Sequence, residues 1–277
     1  MNKQSYGIKW LSVEVVVILV GLLFLAPFYF VLTNSFKGFA ELLVDTSGLP
    51  KSLSWDNYTR AWEVLHFPRA FLNSLLITLF SALCMVVAAS MAAYRLLRHP
   101  SRMNRILFSL FVAAMVVPFQ AIMIPLVQVG NWLNFLNSIP GIIFCYTGLG
   151  VSFSIFLYHG FMKSIPLEVE EAAVMDGCNP YGIFWRIVFP LLKPMTITVI
   201  VLQSLWMWND FLLPLLVLQK PELQTIQLAT NTLFGQYLKQ WDLALAALVM
   251  GIVPILTFFL VLQKHVIQGI TAGAVKG

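Results

Sequence analysis

The sequence predicts an all-α integral membrane protein: one domain, residues 1–277, with six transmembrane helices and one long loop, at about 163–193, that folds as two short helices. Composition is the first ground. Of the 277 residues, 59% are hydrophobic and 10% charged, where an average protein carries about 25% charged residues. The second ground is a set of six apolar stretches, each near the 20 or so residues that a helix needs to cross a bilayer. The third is the placement of positive charge, with Arg95, Arg98, Arg102 and Arg105 gathered in one short turn. The net charge of +5 therefore reads as arginine and lysine held on one side of a membrane, and it gives no ground for a nucleic-acid partner.

The six stretches are residues 15–36, 71–94, 106–129, 139–158, 194–218 and 243–262. The first has the look of a signal peptide, but its apolar core is too long and no small-residue cleavage site follows it, so it is read as a retained helix kinked at Pro27. Arginines at the density of the Arg95–Arg105 turn stay in the cytoplasm. Alternation then puts both termini and the 163–193 loop in the cytoplasm as well. Of the 17 lysines and arginines, only Lys37, Lys51, Arg60, Arg69, Lys220 and Lys239 fall outside.

The external loop at 37–70 carries Trp55, Tyr58 and Trp62 beside Asp56 and Asn57. Amphipathic aromatic residues favour the interface, so this loop reads as a short helix lying flat on the outer surface, either as an anchor or as a contact for an external partner. The third stretch contains Pro118, Gln120 and Pro125. Prolines free backbone carbonyls, which a membrane tolerates where they are buried in protein or line a cavity. This is either a helix bordering a translocation path or a kinked packing helix whose glutamine bonds a neighbour.

The fifth stretch ends in LWMWNDFLLPLLVL, and Asp210 is the one formal charge inside any of the six. It lies about 24 Å along a helix counted from Pro194, toward the outer face. With Trp206, Trp208 and Asn209 it suits sugar recognition, by stacking and hydrogen bonding, and equally suits an interfacial belt. The chain closes on QKHVIQGITAGAVKG, glycine-rich and without an apolar anchor, which reads as a mobile tail.

The loop at 163–193 is built from helix signals. Pro166 suits a first helical turn. Glu168, Glu170 and Glu171 crowd that turn, where negative charge complements the helix dipole. Gly177 suits the left-handed residue that ends a helix. Asn179 offers a side-chain cap, with Pro180 as the next first residue. Ile183, Phe184, Ile187 and Val188 then share one face up to Pro190. Two short helices with an acidic front and an apolar back suit insertion into another protein.

The residues Glu171, Ala172, Ala173, Asp176, Gly177, Ile187, Pro190 and Pro194, in the spacing E-A-A-x-x-D-G-x9-I-x2-P-x3-P, resemble the EAA loop of bacterial ABC-importer permeases. One departure is Phe189, where the family usually has leucine; both are apolar. The resemblance extends along the chain. WNDFLLPLLVL, the TIQLATN segment, Trp241-Asp242-Leu243 and the ending GITAGAVKG are similar to the shorter permease subunit of carbohydrate-uptake importers, the maltose, multiple-sugar and glycerol-phosphate group. The resemblance implies a type I importer permease in the bacterial cytoplasmic membrane. It implies four kinds of partner: a second, homologous permease forming a heterodimer, two ATP-binding subunits, a solute-binding protein outside, and the lipid bilayer. Glu171, Ala172, Ala173, Asp176, Gly177, Ile187 and Pro190 would couple the permease to the ATPase, and Gln120, Trp206, Asn209 and Asp210 are candidates for the substrate path. An oligosaccharide is the expected cargo, with glycerol phosphate or another small solute as the alternative.

Absences agree with this reading. There is no G-x-x-x-x-G-K-[ST] phosphate cradle, no H-E-x-x-H, and no C-x-x-C among Cys84, Cys145 and Cys178. The three cysteines read as small, buried, apolar residues, and the four histidines are scattered. The chain is expected to be no enzyme and to bind no cofactor; magnesium and ATP belong to the partner subunits. An ion-coupled secondary transporter is the competing class. It calls for several charged or broken-helix sites at mid-membrane, often with an internal repeat, and this sequence shows neither.

Overall fold

The computed structural model describes residues 8–234 and 240–274, with side chains for 10–234 and 240–263. It divides into two compact units, Met1–Phe67 with Thr230–Ile252 and Pro68–Ala229 with Val253–Gly277.

In the first unit, α1 (Ile8–Asn34) is apolar on every side, and no residue from Trp10 to Thr33 is buried. Such a helix faces lipid or a partner all round. The segment that follows is more than a flat surface helix. Between α2 (Phe39–Val44) and α3 (Asp56–Val64) the chain is braced by polar side chains. Asn34 Nδ2 donates to the carbonyl of Thr46 at 2.8 Å, and Asn57 Nδ2 donates to those of Ser35 and Lys37 at 2.9 and 2.8 Å. Lys37 is fully buried, its ammonium donating to the Asp45 carbonyl at 2.8 Å. The N–H groups of Gly48 and Ser47 hold the Asp45 carboxyl below its ordinary range. Phe36, Trp55 and Tyr58 pack as a triad with centroids 5.2 Å apart. Arg60 on α3 reaches Asp242 at 3.7 Å.

The second unit holds α4 up to its end (Phe67–Arg98), α5 (Arg102–Ala114), α6 (Phe119–Trp132), α7 (Ile139–Met162), α8 (Glu168–Met175), α9 (Pro180–Ile183), a π-helical turn at Phe184–Val188, α10 (Phe189–Leu191), α11 (Lys193–Asn209), α12 (Leu212–Val217) and most of α13 (Ile226–Asn231). The last helix, α14 (Trp241–Ala274), enters it at Val253. Serines cap where the sequence places them. Ser101 accepts from the N–H of Asn104, and Ser138 from that of Gly141, both at 3.1 Å.

Among the described residues four helices are long and apolar enough to cross a membrane unbroken, or up to six if each of two bent pairs is one span. The third predicted stretch is therefore corrected from one helix to two, α5 and α6, meeting at 103°. Pro118 explains the break: it lacks an N–H and forces the residue before it out of helical geometry. The fifth stretch is also interrupted. The helix Pro180–Leu191 bends by 73° into α11, and α11 stops at Asn209 because Asp210 is extended, with φ −74° and ψ 134°. The last helix runs on past the sixth stretch, through Ala274. Lys3, Lys239 and the final Val275, Lys276 and Gly277 lie outside the described residues. Of the cysteines, Cys145 is buried, Cys178 is half-buried, and Cys84 is exposed, contrary to the expectation for it.

Two apolar clusters stand out among the described residues of the second unit. One joins Val86, Tyr158, Met162, Phe184, Val188 and Leu192, and packs the loop helices against the ends of α4, α7 and α11. The other gathers Ile77, Met85, Ile142, Tyr146, Met207 and Leu213. Buried Gln203 donates to the Gly150 carbonyl at 3.2 Å and to Ser154 Oγ at 3.1 Å, tying α11 to α7. A Cβ on Gly150 would come within 2.5 Å of Met85 Sδ, so glycine is what lets α7 approach α4 there.

Candidate functional site

The loop between α7 and α11 has an outer face and an inner face, divided by the helical period. Glu170 and Ala173, three residues apart on α8, point inward and are 6% and 5% exposed. Glu168, Glu171 and Ala172 are exposed. The paired alanines thus split: Ala173 packs into the cluster and Ala172 faces out. Pro166 lies just before α8, whose first residue is Glu168.

Asp176 ends α8, and Gly177 follows in the left-handed region with φ 80°. The N–H of Gly177 reaches the carbonyl of Val174, and that of Cys178 the carbonyl of Ala173, both at 3.0 Å. A left-handed residue after the last helical turn closes the free carbonyls in this way. Asn179 then caps α9, accepting from the N–H of Gly182 at 2.7 Å, with Pro180 first in the helix. Ile183, Phe184 and Val188 are buried and Ile187 is half-buried, while Pro190 is exposed. Pro190 does not end the helix. It stands at the start of α10, where its missing N–H costs nothing, and the bend comes two residues later at Leu192.

What the loop leaves uncovered is both acidic and apolar. Met175 is 88% exposed, Tyr181 72% and Val174 58%. They stand beside exposed Glu171 and Asp176 and a concavity of about 480 Å³ at the turn, lined by Gly177, Asn179, Trp185 and Arg186 among others. Large apolar side chains held in the open suit contact with a protein or a membrane.

The buried Glu170 is the site residue that the motif does not single out. Its Oε1 accepts from Arg98 Nε at 2.6 Å, its Oε2 from the Tyr94 hydroxyl at 2.8 Å. The Arg98 guanidinium also donates to the Ile165 carbonyl at 3.0 Å. The available signal was spacing: Glu170 lies three residues before Ala173 and seven before Gly177, and about 100° round the helix from Glu171.

The candidate substrate-path residues only partly converge. Asp210 Oδ2 accepts from the Tyr146 hydroxyl at 3.0 Å, and its Oδ1 from the N–H of Leu212 at 3.0 Å. Trp206, 40% exposed, packs edge-on against Tyr146 with centroids 5.4 Å apart. Tyr146, absent from the sequence-level candidates, is therefore what joins Trp206 to Asp210. Asn209 is exposed and turns its amide back to the Leu205 carbonyl at 2.7 Å. Gln120 is exposed in the first turn of α6 and contributes no hydrogen bond to this cluster among the described residues. No three histidine, cysteine or acidic side chains among the described residues stand close enough to hold a metal ion.

The family of the binding-protein-dependent transport system inner membrane component matches residues 85–272. The chain is 44% identical over 276 residues to a probable starch degradation products transport system permease protein of Thermoanaerobacterium thermosulfurigenes, covering 100% of this chain and 98% of that one. It is 36% identical over 252 residues to a melibiose/raffinose/stachyose import permease protein of Bacillus subtilis (strain 168), with 91% of each chain covered. The fold is similar, at a TM-score of 0.81 and 24% identity, to a chain in the crystal structure of a bacterial ABC transporter involved in the import of the acidic polysaccharide alginate; the match covers 95% of this chain and 98% of that one.

Proposed function

Because the chain belongs to the family of binding-protein-dependent transport system inner membrane components, we propose that it is the transmembrane subunit of an ATP-driven importer that brings an oligosaccharide across the bacterial cytoplasmic membrane. It acts as one transmembrane domain beside a second, homologous permease, with both termini in the cytoplasm. A solute-binding protein outside delivers the sugar, and two ATP-binding subunits hydrolyse ATP on the cytoplasmic side. The chain itself is a transport component and not an enzyme. Oligosaccharide as cargo is supported by the relatives named for starch degradation products and for melibiose, raffinose and stachyose.

The observation that carries this reading is the loop at Glu168–Leu191. Its outward acidic and apolar face, fixed by the left-handed Gly177 and the Asn179 cap, suits a cleft on an ATP-binding subunit. When those subunits close on ATP, the loop is carried with them and the helices above it change their packing, so that the path opens alternately to the two sides. Tyr146, Trp206 and Asp210 offer a stacking face and hydrogen-bond acceptors for a sugar on that path.

Affinity purification of this chain from its own membranes, in mild detergent, followed by mass spectrometry, tests the assembly. Recovery of an ATP-binding subunit and a second permease is expected; a chain that purifies alone overturns the reading. Cargo is tested by uptake of labelled maltotriose and raffinose into cells with and without the chain. Loss of uptake of either on deletion is expected, and full retention of both refutes an oligosaccharide cargo of these types. Glu171→Lys reverses a charge on the docking face, and sugar moved per ATP hydrolysed is expected to fall severalfold; unchanged uptake and sugar-stimulated ATPase count against Glu171 as a coupling residue.

A further inference from the structure

The carboxylate of Glu170 is 8% exposed, and both of its oxygens are taken by the last turns of α4, by Arg98 at 2.6 Å and by Tyr94 at 2.8 Å. Arg98 is the final residue of α4, and its guanidinium also holds the Ile165 carbonyl, in the link between α7 and α8. The partners are 72 and 76 residues apart in the chain, so no local backbone constraint brings them together. The Tyr94 ring packs on Phe184, across the turn, with centroids 5.2 Å apart. The end of α4 therefore grips both helical segments of the loop.

The kind of contact matters. Apolar packing, such as that of Ala173, tolerates sliding. A buried carboxylate held by two directional, charge-assisted donors does not, because any separation leaves a desolvated charge without a partner. The loop is joined covalently to α7 and α11, and such joints transmit a pull; α4 has no such joint.

We infer that Tyr94, Arg98 and Glu170 form a clasp that makes α4 a third arm of the loop, so that displacement of the docking helix α8 is passed to α4 through this buried ion pair. The inference rests on the proposed docking of the loop on an ATP-binding subunit. The three residues are positioning residues. They face away from Glu171 and touch neither nucleotide nor sugar.

The test measures whether α4 and α8 move together. Spin labels are placed at Arg95→Cys, exposed near the end of α4, and Glu168→Cys, exposed at the start of α8, with Cys84, Cys145 and Cys178 replaced by alanine. The whole complex, purified through this chain, is measured without nucleotide and after trapping with ATP and vanadate. The label separation is expected to agree between the two states within about 2 Å, the size of a small interface shift. Adding Glu170→Gln is expected to leave the nucleotide-free distance alone and to shift or broaden the trapped one, which distinguishes a clasp under load from a general packing defect. Tyr94→Phe, which removes one hydrogen bond and keeps the ion pair, is expected to give the same change in smaller degree, and carries the comparison if Glu170→Gln assembles poorly. A separation that changes by more than about 2 Å on trapping in the complex without Glu170→Gln overturns the inference. Trapped distances that neither Glu170→Gln nor Tyr94→Phe alters overturn it as well. A chain recovered without ATP-binding subunits overturns the docking reading, and this inference with it.

Discussion

Two ion pairs of this chain look alike in sequence and differ in what surrounds them. Arg98 and Glu170 meet at 2.6 Å with side chains 13% and 8% exposed, and Tyr94 and the Ile165 carbonyl complete the polar contacts. Arg60 and Asp242 meet at 3.7 Å, with the arginine side chain 57% exposed and the aspartate 7%. In the first pair the charges cannot fall back on water, so the geometry is held and its loss is expensive. In the second, only the carboxylate is enclosed; the arginine stays within reach of water and salt and the contact is longer, so the pair is the more weakly held of the two. The lesson is that an Arg–Glu pairing acquires a mechanical role from burial and from the extra donors around it.

The largest expected effect breaks the first pair. Arg98→Ala leaves the Glu170 carboxylate buried without its cation, and a loss of about 3–5 kcal/mol is expected, read as a lower denaturation midpoint of the purified chain. A loss below 1 kcal/mol or so would place the pair with surface contacts. Next comes the turn beside it. Gly177 has φ 80°, and although a Cβ there meets no atom within 4 Å, a β-branched residue is strained in that backbone region. Gly177→Val is expected to cost about 1–3 kcal/mol and to lower the recovery of ATP-binding subunits with the chain. Gly177→Asn, which tolerates the left-handed region, is expected to retain most of it. The smallest effect is at the half-exposed pair. Arg60→Ala is expected to cost less than Arg98→Ala, because water and salt reach the Arg60 side of the contact, and the loss should shrink as salt is raised. A large, salt-insensitive loss would erase the contrast.

The loop was largely legible because its signals are local. Gly177, Asn179 and Pro180 each act through their own backbone or that of a near neighbour, and each stands as its chemistry dictates. Membrane-spanning segments were legible for a similar reason, since a bilayer imposes one length and one polarity on all of them. The exceptions have the same origin. Pro118 was visible in the sequence as a weak point, but whether a proline kinks a helix or divides it depends on what the two halves pack against; α5 packs on α7 and α6 on α12, and the chain turns 103° between them.

Composition and local chemistry by themselves determined that this chain is helical, apolar and built around a two-helix loop. Long-range partners were decided only in the tertiary structure. Glu170 and Glu171 are adjacent and chemically identical in the sequence, yet one is clasped by α4 and the other is exposed. Gln120 stands out in the sequence beside two prolines and Gln203 does not, yet it is Gln203 that bridges α7 and α11. Tyr146 gains its importance from Asp210, 64 residues away. The physical reason is that hydrogen bonds and ion pairs act over a few ångströms in space, while a sequence records separation along the chain. Where the two measures agree, as in a cap or a turn, the residues announce their roles; where they diverge, only the packed helices bring the partners together.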